Sequence, residues 1–142
     1  MYRIERLTVL DDSGLADLQR LYGEYDPKTA PTASSMRDAA VQNVFLVARE
    51  SGSGRIVGFL TIVFYPRMKG TVAQVEDVFV EQARRRTGAG RLLMERALML
   101  ARDAKCVDLH LSTYPDMDAA NAFYDEVGGT YRIMHVYKWL LN

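Results

Sequence analysis

The chain has 142 residues, 49% of them hydrophobic, which fits one globular domain with a sizeable core. Its 18 basic and 18 acidic residues give zero formal net charge, which argues against a nucleic-acid or anionic-membrane binder. One cysteine, Cys106, excludes an intrachain disulfide and suits a reducing compartment. Because no apolar run reaches bilayer length and no signal-peptide pattern is present, the sequence predicts a cytoplasmic protein.

An initial strand and two helices are predicted in the first third of the chain. Residues Tyr2–Leu7 alternate in polarity, which predicts a strand. The following segment carries apolar residues at helical spacing, with Asp12 or Ser13 as the predicted N-cap. A loop rich in Pro and Thr then leads to a short helix that ends near Val41.

Strands dominate the middle of the chain. The β-rich runs 44–50 and 55–65 are separated by Ser-Gly-Ser-Gly, which predicts a hairpin, and residues 71–80 predict the next strand. A helix is predicted over residues 88–103, where apolar side chains recur at helical spacing. Residues 107–112 predict a further strand, so the strand–helix–strand unit implies a parallel crossover connection.

The last predicted helix begins with Pro115 and an Asp cap and ends at the Gly128-Gly129 pair. The tail, residues 130–142, predicts a final strand. The predicted order is therefore β-α-α-β-β-β-α-β-α-β. This order indicates an α/β (α+β) fold, with a mixed, mostly antiparallel sheet of six or seven strands and helices on both faces. We expect a single domain over residues 1–142.

An arginine- and glycine-rich connection precedes the helix at 88–103. Its residues Arg85-Arg86-Thr87-Gly88-Ala89-Gly90 fit the spacing Arg/Gln-x-x-Gly-x-Gly/Ala. The first turn of a helix has unpaired amides and partial positive charge, so it can bind a pyrophosphate. Glycines let the backbone approach the phosphates, and arginines attract further anionic groups. A Walker loop is excluded because Gly-Lys-Ser/Thr is absent, and Leu93 disfavours a dinucleotide-binding pattern.

Together with the preceding Glu-Asp-Val-Phe-Val (76–80) and the helix segment Ala-Ala-Asn-Ala-Phe-Tyr-Asp-Glu-Val-Gly-Gly (119–129), this connection resembles the GNAT superfamily of acyl-CoA-dependent N-acetyltransferases. The resemblance extends over the chain in element order and is strongest from Val75 to Gly129. It implies acetyl-CoA as co-substrate, with its pantetheine arm on the strand backbone and its pyrophosphate on the helix amides. The cofactor-binding residues implied are Val78, Phe79, Val80, Arg85, Arg86, Thr87, Gly88, Ala89, Gly90, Arg91, Asn121 and Tyr124.

The chain departs from the family pattern at three places. Gln-Ala-Arg-Arg-Arg replaces the frequent Pro-Glu-Tyr-Arg-Gly before the glycines, and Gly128-Gly129 replaces Gly-Phe. Met117 stands where the family has an Asn, and we expect Asn121 to take over its contact with the arm.

Amine acetylation needs a base for the amine, a donor for the oxyanion and an acid for the leaving thiolate. The resemblance implies Glu76 as base, acting through water. On a regular strand Glu76 shares its side with Gln74 and Val78, whereas Asp77, the second choice, points to the other face. The Val78 amide is the predicted oxyanion donor. Tyr124, with an ordinary pKa of about 10, is the predicted acid.

The sequence leaves the acceptor open. Residues 22–35 and 65–70 are expected to line the entrance of the acceptor site. The first segment carries acidic residues and the second basic ones, so charge does not decide whether the acceptor is cationic or anionic. We expect the primary amine of a small molecule to attack directly in a ternary complex. A protein or peptide amine, or a non-catalytic acyl-CoA sensor, is the alternative.

Other chemistry-bearing residues predict no further site. His110 and His135 lack metal-ligand spacing, so no metal is expected, and Cys106 is interpreted as a structural thiol. The aromatic residues of the tail indicate sheet packing or a homodimer contact.

Overall fold

The computed structural model describes residues 1–141; Asn142, the last residue of the predicted final strand, lies outside the described residues. The chain divides into two compact units, Met1–Ser112 and Thr113–Asn142. The elements are β1 Tyr2–Leu7, α1 Asp12–Tyr25, α2 Ala33–Gln42, β2 Val44–Glu50, β3 Ile56–Arg67, β4 Gly70–Val80, a 3₁₀ turn Gln82–Arg84, α3 Ala89–Asp103, β5 Asp108–His110 and α4 Asp118–Glu126.

One mixed sheet of five strands, in the order β1-β2-β3-β4-β5, forms the first unit. The first four strands are an antiparallel meander, and β5 pairs with β4 in parallel. The predicted hairpin and parallel crossover pairing are therefore confirmed. None of the helices in residues 1–141 combines the length and apolar character needed to cross a bilayer.

The predicted sixth and seventh strands are wrong for the described part of the chain. Residues 130–141 form no strand, and apolar side chains there are exposed, including Ile133 at 92% and Trp139 at 76%. A composition typical of strands does not make a strand by itself, because a strand also needs a hydrogen-bonded neighbour. The predicted strand at 107–112 is likewise shorter, Asp108–His110.

Side-chain caps fix the starts of the first two helices. Asp11, rather than the predicted Asp12 or Ser13, accepts a hydrogen bond from the Gly14 amide at 2.7 Å. Thr32 accepts one from the Ser35 amide at 3.0 Å. Such caps satisfy amides that the helix leaves unpaired.

The predicted Asp cap of α4 is wrong. The N-cap is Met117, whose side chain makes no capping bond. Instead Asn121 Nδ2 donates to the Tyr114 and Met117 carbonyls, each at 2.9 Å. These bonds tie the helix to the turn before it.

Helices cover both faces of the sheet, as predicted. Phe45, Phe59 and Phe79 belong to the core cluster that contains Leu18 and Leu21 of α1. The opposite face packs against α3, since a Cβ at Gly58 would lie 3.3 Å from Leu93 Cδ1. Successive residues of a strand point to opposite faces, so Phe59 and its neighbour Gly58 mark the two sides.

A β-bulge interrupts the β3–β4 ladder. Leu60 pairs with Val78 and Ile62 pairs with Val75, so a single residue, Thr61, lies opposite both Glu76 and Asp77. Cross-strand partners point to the same face of the sheet. Because β4 has one extra residue at the bulge, its side chains before and after the bulge differ by one residue in the alternation between the two faces.

The bulge corrects the predicted orientation of the strand. Gln74 pairs with Val63 and Val78 pairs with Leu60, and these two partners point to opposite faces of β3. Gln74 and Val78 therefore do not share a side, and the alternation argument that grouped Glu76 with both of them is wrong.

Candidate active site

The connection before α3 has the backbone geometry of an anion-binding turn. Arg86 has a φ of 61° and Gly88 a φ of 100°, both in the left-handed region that favours glycine. Gly88 is the N-cap and supplies no side-chain bond to the helix amides. Nothing lies within 4 Å of where a Cβ of Gly88 would be. The start of α3 is therefore accessible to a ligand, and its unpaired amides suit a pyrophosphate.

Side chains of the connection anchor its shape. Thr87 Oγ1 donates to the Arg84 carbonyl and lies 2.7 Å from the Tyr2 hydroxyl. Arg84 Nε donates to Glu50 Oε1 at 2.8 Å. The Ser53 hydroxyl and the Arg84 guanidinium hold the pKa of Glu50 below its ordinary value of 4.5. The Thr87 side chain thus binds within the connection, and the Arg84 side chain ties the connection to the end of β2.

Arg85 is tied to the end of β4. Its Nε donates to the Val80 carbonyl at 3.2 Å, and its guanidinium lies 5.3 Å from the centre of the Phe79 ring. Arg86 and Arg91 are exposed. Arg85 is exposed as well, so all three predicted cationic side chains lie at the surface.

The turn after β4 is held by one buried carboxylate and by charged side chains at the surface. Glu81, 9% exposed, accepts hydrogen bonds from the guanidinium groups of Arg20 and Arg55. Glu24 Oε2 accepts one from the Gln82 amide at 2.8 Å. Helix α1 therefore fixes the turn that leads to the connection, and Glu24 has a structural bond there.

The edge of β4 that leads to the connection has no second strand beside it within residues 1–141. Strand β5 pairs only with Val72, Ala73 and Gln74. Residues Val78–Val80 pair with β3 on the other side. An extended chain such as a pantetheine arm can add to such an edge through backbone hydrogen bonds.

A cavity of about 190 Å³ lies against the sheet face that packs on α1 and α2. Tyr22, Pro31 and Ser35 of the predicted entrance segment line it, but no residue of the loop 65–70 does. Six apolar side chains form most of the wall: Leu18, Pro31, Met36, Ala39, Phe45 and Phe59. Its polar groups belong to Tyr22, Ser35, Thr61 and Asp77.

Asp77, rather than Glu76, lines this cavity. Its amide donates to Thr61 Oγ1 at 3.1 Å, and Thr61 Oγ1 donates to Asp77 Oδ2 at 3.1 Å. Glu76 is exposed and is not part of the wall. Burial, and then the negative charge of Asp77, raise the pKa of Tyr22 above its ordinary value of 10.0. Sequence patterns gave no signal for Thr61, because its role depends on the bulge opposite it.

Tyr124 and Asn121 belong to the second unit. Burial raises the pKa of the Tyr124 hydroxyl above its ordinary value of 10.0, so the hydroxyl is protonated at neutral pH. The Nδ2 group of Asn121 already donates to two backbone carbonyls. Both Nδ2 hydrogens are used in these bonds, so any cofactor contact by Asn121 would be made by its Oδ1 atom.

No group of three or more His, Cys, Asp or Glu side chains within residues 1–141 is placed to hold a metal ion. His110 Nε2 lies 2.5 Å from Asp108 Oδ1, and the same carboxylate accepts from Lys69 Nζ at 2.9 Å. These residues form a local polar cluster at the start of β5.

The chain belongs to the acetyltransferase (GNAT) family, whose model matches residues 14–128. Solved structures share the fold. An acetyltransferase from Trypanosoma brucei is 23% identical, with 99% of this chain and 100% of that chain covered and a TM-score of 0.78. An aminoglycoside acetyltransferase from an uncultured soil metagenomic sample is 22% identical, with 98% and 96% covered and a TM-score of 0.80. A glucosamine-6-phosphate N-acetyltransferase from Arabidopsis thaliana is 18% identical, with 98% of each chain covered and a TM-score of 0.78.

Proposed function

We propose that this protein transfers an acetyl group from acetyl-CoA to the primary amine of a small molecule, by direct attack in a ternary complex. One observation carries the proposal. Strand β4 has a cavity-lining carboxylate at Asp77 and, directly after it, an edge at Val78–Val80 with no strand beside it in residues 1–141. The same strand then leads into the anion-binding turn. An acceptor and an acyl donor could therefore meet along one strand.

The residues present fit acetyl-CoA. The space in front of Gly88 admits a ligand to the amides of Gly88, Ala89, Gly90 and Arg91, which would hold the pyrophosphate. The backbone of Val78, Phe79 and Val80 would hold the pantetheine arm, and Arg85, Arg86 and Thr87 complete the predicted binding set. When bound, the cofactor supplies an activated acetyl thioester.

Two neighbouring carboxylates have different proposed roles toward the acceptor amine. Asp77 lines the cavity, so we assign it the contact with the acceptor's ammonium group. Glu76 remains the predicted base, and because it is exposed it would receive the proton through water. The amine must lose that proton before its nitrogen can attack, since an alkylamine has a pKa of about 10.

The proton for the leaving sulfur is assigned to Tyr124, on the strength of the family resemblance. Its raised pKa supports the assignment in one respect, because the hydroxyl carries its proton at neutral pH. The Val78 amide remains the predicted donor to the oxyanion. Homodimer formation and a cytoplasmic location also remain predictions.

A thiol-release assay tests the proposal. Purified protein and acetyl-CoA are incubated with a panel of amines, polyamines, amino acids and peptides, and free thiol is measured with time. We expect release that depends on both the protein and an amine, with an N-acetylated product confirmed by mass spectrometry. Tight acetyl-CoA binding without release for any amine would contradict the proposal and favour an acyl-CoA sensor. Faster release with peptides than with small amines would favour a protein substrate.

A further inference from the structure

The wall of the cavity has one ionisable carboxylate and no basic side chain. Asp77 is that carboxylate. Glu24 at the end of α1 and Asp26 after it have their own backbone partners, the Gln82 and Lys28 amides. A carboxylate beside apolar side chains is best satisfied by a cation. The cavity therefore favours a ligand with one positive charge.

Aromatic rings form the body of the cavity. Phe45 and Phe59 are stacked with centroids 6.3 Å apart and an interplanar angle of 11°, and Tyr22 stacks on Phe59 at 6.3 Å and 10°. Phe45 and Phe59 are 7% and 3% exposed, so they give the cavity a firm apolar wall, and Tyr22 is the half-buried member of the three. Such a wall suits another ring or a branched alkyl group.

The volume indicates how large a group the cavity itself can hold. The cavity has about 190 Å³, and an engineered apolar cavity of roughly 150 Å³ in another protein holds one benzene molecule. One ring with a short aminoalkyl arm fits this space. An aminoglycoside carries several ammonium groups, for which the wall has only the single carboxylate of Asp77, and most of its rings would lie outside this space. A sugar phosphate would find no cation in the wall to bind its phosphate.

We propose that the acceptor is a small monoamine with an aromatic or branched apolar body, whose ammonium group binds Asp77 and whose body lies against Phe45, Phe59 and Tyr22. This inference rests on the proposed acetyltransferase function for its biological meaning. The binding site itself can be tested without turnover.

Binding of 2-phenylethylamine to the whole protein, measured by calorimetry without acetyl-CoA, is the first test. We expect 2-phenylethylamine to bind saturably. 2-Phenylethanol lacks the positive charge, so its Kd should be at least about tenfold higher, as expected for loss of a charge-assisted hydrogen bond. Asp77→Asn should raise Kd by a similar factor. Asp38→Asn, on the exposed surface of α2, is the matched control and should leave Kd unchanged. Equal affinity in Asp77→Asn and the parent would overturn the proposal.

A steric variant provides an independent test if Asp77→Asn does not fold. Ala39→Leu adds three carbons to the cavity wall and should abolish binding of 2-phenylethylamine. Ala16→Leu makes the same change at an exposed position of α1 and should leave binding intact. Competition between amines in the thiol-release assay separates the two proposals. A higher kcat/KM for kanamycin or glucosamine 6-phosphate than for 2-phenylethylamine overturns the acceptor class and leaves the acetyltransferase function intact. Asp77-dependent binding of 2-phenylethylamine without any acetyl transfer supports the amine site and contradicts the acetyltransferase function.

Discussion

Thr61 and Asp77 are joined by two hydrogen bonds across the β3–β4 pair, each 3.1 Å long. The hydroxyl accepts from the Asp77 amide and donates to the Asp77 carboxylate, so one buried side chain fixes both the backbone and the side chain of the bulge. Thr61 is 4% exposed, which shields both bonds from water. The orientation of Asp77 in the cavity is therefore set by its neighbour on β3.

Replacing the hydroxyl should disturb that orientation. Thr61→Val keeps the shape but leaves a partly buried amide and carboxylate without their partner, which should cost about 1–3 kcal/mol of unfolding free energy. The KM for the amine should rise more than kcat falls. Urea unfolding and steady-state kinetics measure both effects. Thr71 of β4, whose side chain makes no hydrogen bond among residues 1–141, provides the control. Thr71→Val should change stability and KM little. An equal loss in this variant would contradict the specific role of Thr61.

Access to the α3 amides depends on small residues at the turn. Gly90→Val places a branched side chain in the first turn of the helix and should weaken acetyl-CoA binding at least about tenfold while the apo fold is retained. Calorimetry and circular dichroism of both proteins check this result. Gly23→Val makes the same substitution in another helix, at an exposed position where a Cβ would meet no atom within 4 Å. Unchanged acetyl-CoA affinity in a folded Gly90→Val protein would rule out this phosphate site.

The two carboxylates of the bulge should give different kinetic signatures. Glu76→Gln should lower turnover most near neutral pH and less at high pH, where the amine, with a pKa of about 10, is already deprotonated. Asp77→Asn should mainly raise the KM for the amine. Full pH–rate profiles distinguish the two. If Asp77→Asn shows the pH-dependent loss and Glu76→Gln matches the parent, Asp77 is the base.

Removal of the Tyr124 hydroxyl on α4 tests its proposed role as the acid that protonates the leaving thiolate. Tyr124→Phe keeps the ring, so packing should survive, but kcat should fall by roughly 10²-fold, the lower range for a positioned general acid. Acetyl-CoA affinity should fall less, because one hydrogen bond is worth about 1 kcal/mol. Single-turnover experiments measure the chemical step. Equal rates for Tyr and Phe would show that the ring only packs, and loss of affinity with unchanged kcat would make it a binding residue.

The bonds that Ser53 and Arg84 make to the Glu50 carboxylate should make stability depend on pH in a defined direction. The pKa of Glu50 lies below its ordinary value of 4.5, so its contribution is present above about pH 4.5 and is lost as pH falls through the lower, folded-state value. The difference in unfolding free energy between the parent and Glu50→Gln should therefore shrink toward zero at acidic pH. Urea titrations at several pH values measure it. Asp38→Asn is the control, and a difference that persists in acid would contradict the ion pair.

Local patterns in the sequence predicted most of the elements, because helix and strand periodicity and turn residues act over short distances. The hairpin at residues 51–54 and the helix after Gly88 are examples. The bulge was not predictable in this way, since alternation counts residues on one strand and cannot show that Glu76 and Asp77 share a single partner. The prediction for the tail was wrong for a related reason: residues 130–141 are rich in aromatic and branched residues typical of strands but form no ladder.

The geometry around the predicted site residues could be predicted from the sequence only in part, for the same physical reason. The turn from Arg85 to Gly90 is contiguous, so its backbone geometry follows from a short motif. Long-range partners decide the rest. Glu50 holds Arg84, and Thr61 turns Asp77 toward the cavity, and neither pairing has a signature in the linear sequence.

The register of β3 and β4 has a consequence for how this strand can change over evolutionary time. Without Glu76, Asp77 alone would lie opposite Thr61, and every other cross-strand partner of β4 would stay the same. The ladder therefore requires no particular side chain at position 76 and would even accept a deletion there. Selection, or an engineer who wishes to alter the chemistry, can vary this one residue while the neighbouring strands keep their alignment.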